Sequence, residues 1–62
     1  MNLADRLRLE LKSYGRVEKV LQWMRQSMDL PEETSEYRRI LEILQAKKER
    51  IALLQSLLVS EP

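Results

Sequence analysis

The stretch that decides the fold is Asp29-Leu30-Pro31-Glu32-Glu33, near the middle of the 62-residue chain. Proline fits the first turn of a helix, because the amide proton that it lacks would have no partner there. Carboxylates are also favoured in that turn by the positive end of the helix dipole, and Asp29 can form a capping pair with Glu32. This stretch therefore predicts a loop followed by the start of a helix.

Two helices of similar length flank this loop. Asn2 can cap the first helix, and on both sides of the loop apolar residues recur every three or four positions, as on one face of a helix. The predicted boundaries are a helix over residues 2–28, a loop over 29–31 and a helix over 32–59, within a single domain over 1–62. Similar lengths and a short connection predict an all-α antiparallel helical hairpin. The apolar stripes consist of Leu3, Leu7, Leu11, Tyr14, Val17, Leu21, Met24 and Met28 in the first helix and of Tyr37, Ile40, Leu41, Leu44, Ile51 and Leu58 in the second.

Gly15, the only glycine, leaves the continuity of the first helix open. A glycine in the middle of a helix costs about 1 kcal/mol relative to alanine. A continuous helix tolerates that cost, whereas a break beside Gly15 would divide the chain into three helices.

Residues 6–12 alternate between polar and apolar side chains, which is the period of a strand. A strand there, followed by two helices, resembles the layout of the ribbon-helix-helix DNA-binding dimers. The resemblance implies that polar side chains of paired strands enter the major groove, where the carboxylate of Glu10 would be unfavourable. Leucine, arginine, glutamate and lysine are good helix formers, which favours a helix in this segment.

The chain carries more apolar surface than one pair of helices can bury. Seven large apolar residues do not belong to the two stripes, and exposed apolar patches of this size mark interfaces. A homodimer, in which two hairpins form a four-helix bundle, is the simplest arrangement that covers them, and a different protein partner is the alternative. The expected oligomer or partner interface consists of Leu9, Val20, Trp23, Ile43, Leu53, Leu54 and Leu57.

The chain has no cysteine and no histidine. It therefore lacks the thiolate and imidazole ligands of the common zinc and transition-metal sites, and it lacks the side chains that most often act as general base or thiol nucleophile. A single glycine also excludes a glycine-rich phosphate loop. We expect no catalytic residue, no cofactor and no metal, and hence a chain that is not an enzyme.

Four basic residues of the first helix follow spacings of four, four and three, so they share one face, opposite the apolar stripe. A tryptophan continues this row. Cations beside an aromatic ring suit a phosphate backbone and its stacked bases, although a row of charges is more often a solvated face. The expected binding site for an anionic partner, such as RNA or DNA, consists of Arg8, Lys12, Arg16, Lys19 and Trp23.

These patterns favour a small protein–protein association module, a regulatory or adaptor protein that acts as a homodimer and binds a protein partner. A nucleic-acid-binding regulator that uses the basic row is the alternative function. No apolar run is long enough to span a membrane, and charged residues near the N-terminus leave no signal-peptide core. We therefore expect a cytoplasmic protein that does not associate with membranes.

Overall fold

The computed structural model describes residues 2–60, which form an antiparallel helical hairpin. Helix α1 spans Leu3–Ser27, a 3-10 turn spans Pro31–Glu33, and helix α2 spans Ser35–Val59. The hairpin is a rod of 50 × 15 × 15 Å. The all-α hairpin is thus confirmed, and the described part of the chain contains no strand. Residues 1, 61 and 62 of the expected domain lie outside the described residues.

Helix α1 runs without interruption through both segments for which alternatives were open. Residues 6–12 are helical, so the strand of the ribbon-helix-helix alternative is wrong. The helix also continues through Gly15, whose φ is not positive, and a break there is wrong as well. The reason is that leucine, arginine, glutamate and lysine favour the helix, and packing along α2 offsets the cost of one glycine.

Side-chain caps fix the starts of both helices. The Asn2 side chain accepts a hydrogen bond from the backbone N–H of Asp5 at 2.8 Å. The Thr34 hydroxyl accepts one from the backbone N–H of Tyr37 at 3.2 Å and donates one to the carbonyl of Pro31 at 2.8 Å. The bonds from Asp5 and Tyr37 satisfy amide groups that the first turn of a helix leaves without a partner.

The second helix begins later than the sequence predicts. Pro31 opens a 3-10 turn and not the α-helix, and no side-chain hydrogen bond caps that turn. The predicted capping pair of Asp29 and Glu32 is therefore wrong. Thr34 is the cap because its backbone is extended after the turn and its hydroxyl both donates and accepts. Helix α2 therefore begins at Ser35, three residues after the predicted start.

The buried core is small and lies mainly towards the loop. At this end, the Tyr37 hydroxyl accepts a hydrogen bond from Arg25 Nε at 3.0 Å, which links the two helices. Away from this cluster, Leu54 is the only other buried large apolar residue of α1 and α2. The cluster consists of the buried Leu21, Met24 and Tyr37, with Met28, Ile40 and Leu44 packed against them.

The seam between α1 and α2 follows spacings that alternate between three and four residues. Leu11 and Leu41, which the sequence placed in the apolar stripes, are 48% and 39% exposed and lie outside this seam. Two helices that stay in contact over their full length keep a 3.5-residue repeat, and that repeat places Glu10 and Lys47 on the seam. The seam consists of Leu3, Leu7, Glu10, Tyr14, Val17, Leu21, Met24 and Met28 from the α1 side and of Tyr37, Ile40, Leu44, Lys47, Ile51, Leu54 and Leu58 from α2, all of them buried or partly buried.

Candidate association surface

A second set of positions with the same alternating spacing lies beside the seam on each helix. We call these sets the α1 edge and the α2 edge, and together they make up the broad face of the hairpin. They carry most of the exposed large apolar side chains. The α1 edge consists of Leu9, Ser13, Arg16, Val20 and Trp23, and the α2 edge of Ile43, Ala46, Arg50, Leu53 and Leu57.

Both edges lie on the same side of the rod. A groove of about 450 Å³ at the open end of the hairpin is lined by Leu9 from the α1 edge and by Leu53 and Leu57 from the α2 edge. A smaller depression beside it reaches Ile43 and shares Glu10 and Arg50 with the groove. Val20 and Trp23 are eleven and fourteen residues after Leu9, close to three and four helical turns, so they continue the same edge. The broad face is therefore one continuous surface.

Six of the seven residues predicted for the interface lie on the broad face and are exposed. Their exposure ranges from 39% for Ile43 to 63% for Trp23. Leu54 differs, because it is only 7% exposed and belongs to the seam with α1. Its assignment away from the apolar stripe was wrong, since the 3.5-residue repeat turns Leu54 towards α1. The exposed six are Leu9, Val20, Trp23, Ile43, Leu53 and Leu57.

Glu10 and Arg50 form a charged contact at the border of the seam and the broad face. Glu10 Oε1 lies 3.8 Å from Arg50 Nη1, and the side chains are 19% and 69% exposed, respectively. Glu10 Oε2 is buried and has no hydrogen-bond partner among the described residues. A buried carboxylate oxygen without a donor is unfavourable by about 1–3 kcal/mol, so this position is incomplete in the single chain.

Sequence reasoning missed Glu10 and Lys47 as seam positions. The signal that identifies them is the spacing itself, because counting in alternating steps of three and four from Leu3 and from Tyr37 reaches both residues. The predicted stripes instead followed apolar residues alone. They included the exposed Leu11 beside Glu10 and the exposed Leu41 beside Ile40, and they passed over Lys47. Charged residues at such positions set register and partner choice in helical assemblies.

The basic row lies on the outer side of α1, away from α2. Arg8, Lys12, Arg16 and Lys19 are all exposed. Arg8 Nη1 lies 3.7 Å from Asp5 Oδ1. Within residues 2–60, no carboxylate lies within 4.0 Å of the other three cations of the row. The row is therefore open to an anionic partner over most of its length in the single chain. Arg16 and Trp23 belong both to the row and to the α1 edge.

No protein-family model, curated protein or solved structure matches this chain. Neither α1 nor α2 combines the length and the apolarity that crossing a membrane requires.

Proposed function

We propose that this chain is a small, non-enzymatic association module, a regulatory or adaptor protein, and that it acts as a homodimer. The observation that carries the proposal is the broad face, where six large exposed apolar side chains from both helices share one continuous surface. Arg16 and Arg50 lie in the middle of this surface, with large apolar side chains on either side of them. Exposed apolar patches and an enrichment in arginine are both typical of protein interfaces. Two hairpins stacked through their broad faces would form a four-helix bundle.

The size of the effect favours association. Full burial of a large apolar side chain contributes about 1.5–3 kcal/mol, so covering a side chain that is half exposed contributes about 1 kcal/mol. The combined contribution of six such side chains on each hairpin exceeds that of the exposed ion pair of Arg8 and Asp5, since a surface ion pair contributes about 0–1 kcal/mol. Lys47 is only partly buried, and its stem can cover apolar surface beside Ile43 while the ammonium group reaches water.

The molar mass in solution tests this proposal. Light scattering after size exclusion should give twice the chain mass of 7.4 kDa. The double substitution Leu53→Asp with Leu57→Asp places two carboxylates on the broad face and should yield a helical monomer. Leu54 is unsuitable for this purpose. It is buried in the seam, so an aspartate at this position would disrupt the hairpin itself.

The matched control is Leu11→Asp with Leu41→Asp, which makes the same chemical change on exposed leucines outside the broad face. The control variant should keep the dimeric mass. A wild-type chain that remains at 7.4 kDa up to about 100 μM, or a control that dissociates as readily as the test variant, would contradict the proposal.

The exposed basic row supports a second candidate function, which is binding to RNA or DNA. Lys12, Arg16 and Lys19 have no carboxylate within 4.0 Å among the described residues, and Trp23 beside them is 63% exposed. Cations of this kind neutralise phosphates and release counterions, and an exposed aromatic ring can stack on a base.

Binding to random-sequence RNA and to duplex DNA tests this candidate. The affinity should fall steeply as salt rises, with a log–log slope of about −0.9 for each phosphate contacted on duplex DNA. Lys12→Glu with Lys19→Glu should abolish the binding. Arg38→Glu with Lys48→Glu, an equal change of charge on exposed residues of α2, should retain most of it. No binding at 20–50 mM salt would remove this candidate.

A further inference from the structure

The broad face determines how two copies fit together. The inference about their arrangement rests on the proposed homodimer. We propose that the two copies are related by a two-fold axis parallel to the helices. The α1 edge of each copy then packs on the α2 edge of the other. Glu10 and Arg50 of both copies then meet in one charged layer.

Two closed arrangements are possible when identical hairpins stack face to face. We call the position of a residue along the long axis of the rod its height. An axis parallel to the helices gives each residue the same height in both copies. It places each α1 on the partner's α2, so that all neighbouring helices are antiparallel. An axis across the rod inverts the heights and places α1 on α1 and α2 on α2. The side chains of the two edges distinguish these arrangements.

The parallel axis brings complementary side chains together. Two contacts within the chain, Glu10 with Arg50 and Arg25 with Tyr37, show which residues of α1 and α2 lie at the same height. At equal heights, Leu9 faces the partner's Leu53, Val20 faces the partner's Ile43, and Arg16 faces the partner's Ala46. Apolar residues therefore meet apolar residues, and the long side chain of Arg16 lies over a small residue. No like charges oppose each other in these three pairs.

An axis across the rod opposes like charges when it is centred on either edge. Arg16 is the middle residue of the α1 edge, so full overlap of two α1 edges places it against the partner's Arg16. Arg50, the middle residue of the α2 edge, is level with Glu10 and not with Arg16. One axis across the rod therefore cannot centre both edges, and an axis at the height of Arg50 places it against the partner's Arg50. Because opposed like charges disfavour an interface, an axis across the rod is disfavoured at both of these heights, whereas the parallel axis opposes none of these charges.

The incomplete Glu10 position supports the same axis. Glu10 and Arg50 lie at one height within a chain, with 3.8 Å between Oε1 and Nη1. A parallel axis brings both pairs to that height, and the layer then holds two carboxylates and two guanidiniums with no net charge. The partner's Arg50 reaches the level of Glu10 Oε2, the buried oxygen that has no hydrogen-bond donor among residues 2–60.

Spin labels at the loop measure the direction of the axis. The chain has no cysteine, so Glu33→Cys provides a single labelling site on an exposed residue of the 3-10 turn. Helices in bundles pack about 8–10 Å apart, so two loops at the same end should place the labels within about 30 Å of each other. Loops at opposite ends of a 50 Å rod would place them roughly 40 Å apart or more. The longer distance would overturn the parallel axis.

A label at Gln45→Cys, near the middle of the rod, is the matched control. It should give a short distance for either axis, and it therefore shows that labelled chains pair. A dimer with a long loop distance overturns this inference alone. A single-chain mass for the unlabelled protein overturns the proposed function and this inference together.

Charge reversal tests the shared layer. Glu10→Arg and Arg50→Glu each place four like charges in the layer of a homodimer, and each should weaken self-association at least tenfold. Mixing the two variants restores two positive and two negative charges, so 1:1 heterodimers should form with nearly wild-type affinity. If both variants are helical but do not pair when mixed, the layer is wrong. If either variant fails to fold, the loop distance decides.

Discussion

The seam and the broad face have the same spacing of three and four residues but differ in what covers them. In the seam, Leu21, Met24 and Tyr37 are buried by contacts between the two helices of one chain. On the broad face, side chains of the same size, such as Trp23 and Leu53, remain 63% and 59% exposed. Both surfaces follow a repeat that two packed helices bury, and the proposed homodimer would cover the broad face with a second pair of helices.

The largest difference between the two surfaces should come from shortening a seam residue. Leu21→Ala removes a side chain that is only 4% exposed at the centre of the cluster, and such truncations cost about 2–5 kcal/mol. Thermal unfolding followed by circular dichroism should show the loss at every protein concentration. Leu41→Ala, at a leucine that is 39% exposed, is the control and should cost far less. Equal losses would mean that the seam is not the core of the fold.

A truncation on the broad face should instead weaken pairing and leave the hairpin intact. Val20 is 45% exposed, and Val20→Ala removes apolar area worth about 1 kcal/mol per chain once it is covered. Because a symmetric dimer contains the site twice, the loss is about 2 kcal/mol per dimer, and its dissociation constant should rise about thirtyfold. Sedimentation at several concentrations measures this change.

The control for Val20→Ala is Val59→Ala, the same substitution at a residue that is 86% exposed and outside the broad face. That variant should retain the wild-type dissociation constant. If both substitutions weaken pairing equally, or neither does, the broad face has no special role.

The smallest effect should come from a position outside both surfaces. A Cβ added at Gly15 would meet nothing within 4 Å, so Gly15→Ala should stabilise the protein by about 0.5–1 kcal/mol through helix propensity alone. Chemical denaturation measures the gain, and Ala52→Gly at an exposed position of α2 should show a loss of similar size. A destabilised Gly15→Ala variant would mean that another chain packs closely against this glycine.

The fold could be predicted from the sequence to the level of its two helices. The apolar spacing and the loop around Pro31 are local features, and local features predict element type well. The start of α2 was predicted less well, because Pro31 fits either the first turn of an α-helix or a 3-10 turn. The hydrogen bonds of Thr34, which decide between them, depend on how the turn closes.

The candidate surface was predicted in composition but not in detail. Leu9, Trp23 and Leu53 were identified because they do not fit a single apolar stripe, and they are exposed on the broad face. Leu54 was misassigned because the angle between 3.6 and 3.5 residues per turn accumulates with distance along the helix. Glu10 was missed because the stripe was traced through apolar residues only. Which repeat applies depends on contact between α1 and α2, a tertiary property that no single helix encodes.

The emission of Trp23 as a function of protein concentration tests the central claim most directly. Trp23 is the only tryptophan, and it lies 63% exposed on the broad face of the single chain. If a second copy covers that face, the emission maximum should move to shorter wavelength and quenching by iodide should decrease as dimers form. A spectrum that stays at the wavelength of a solvated indole, with unchanged quenching from nanomolar to about 100 μM, would contradict the account.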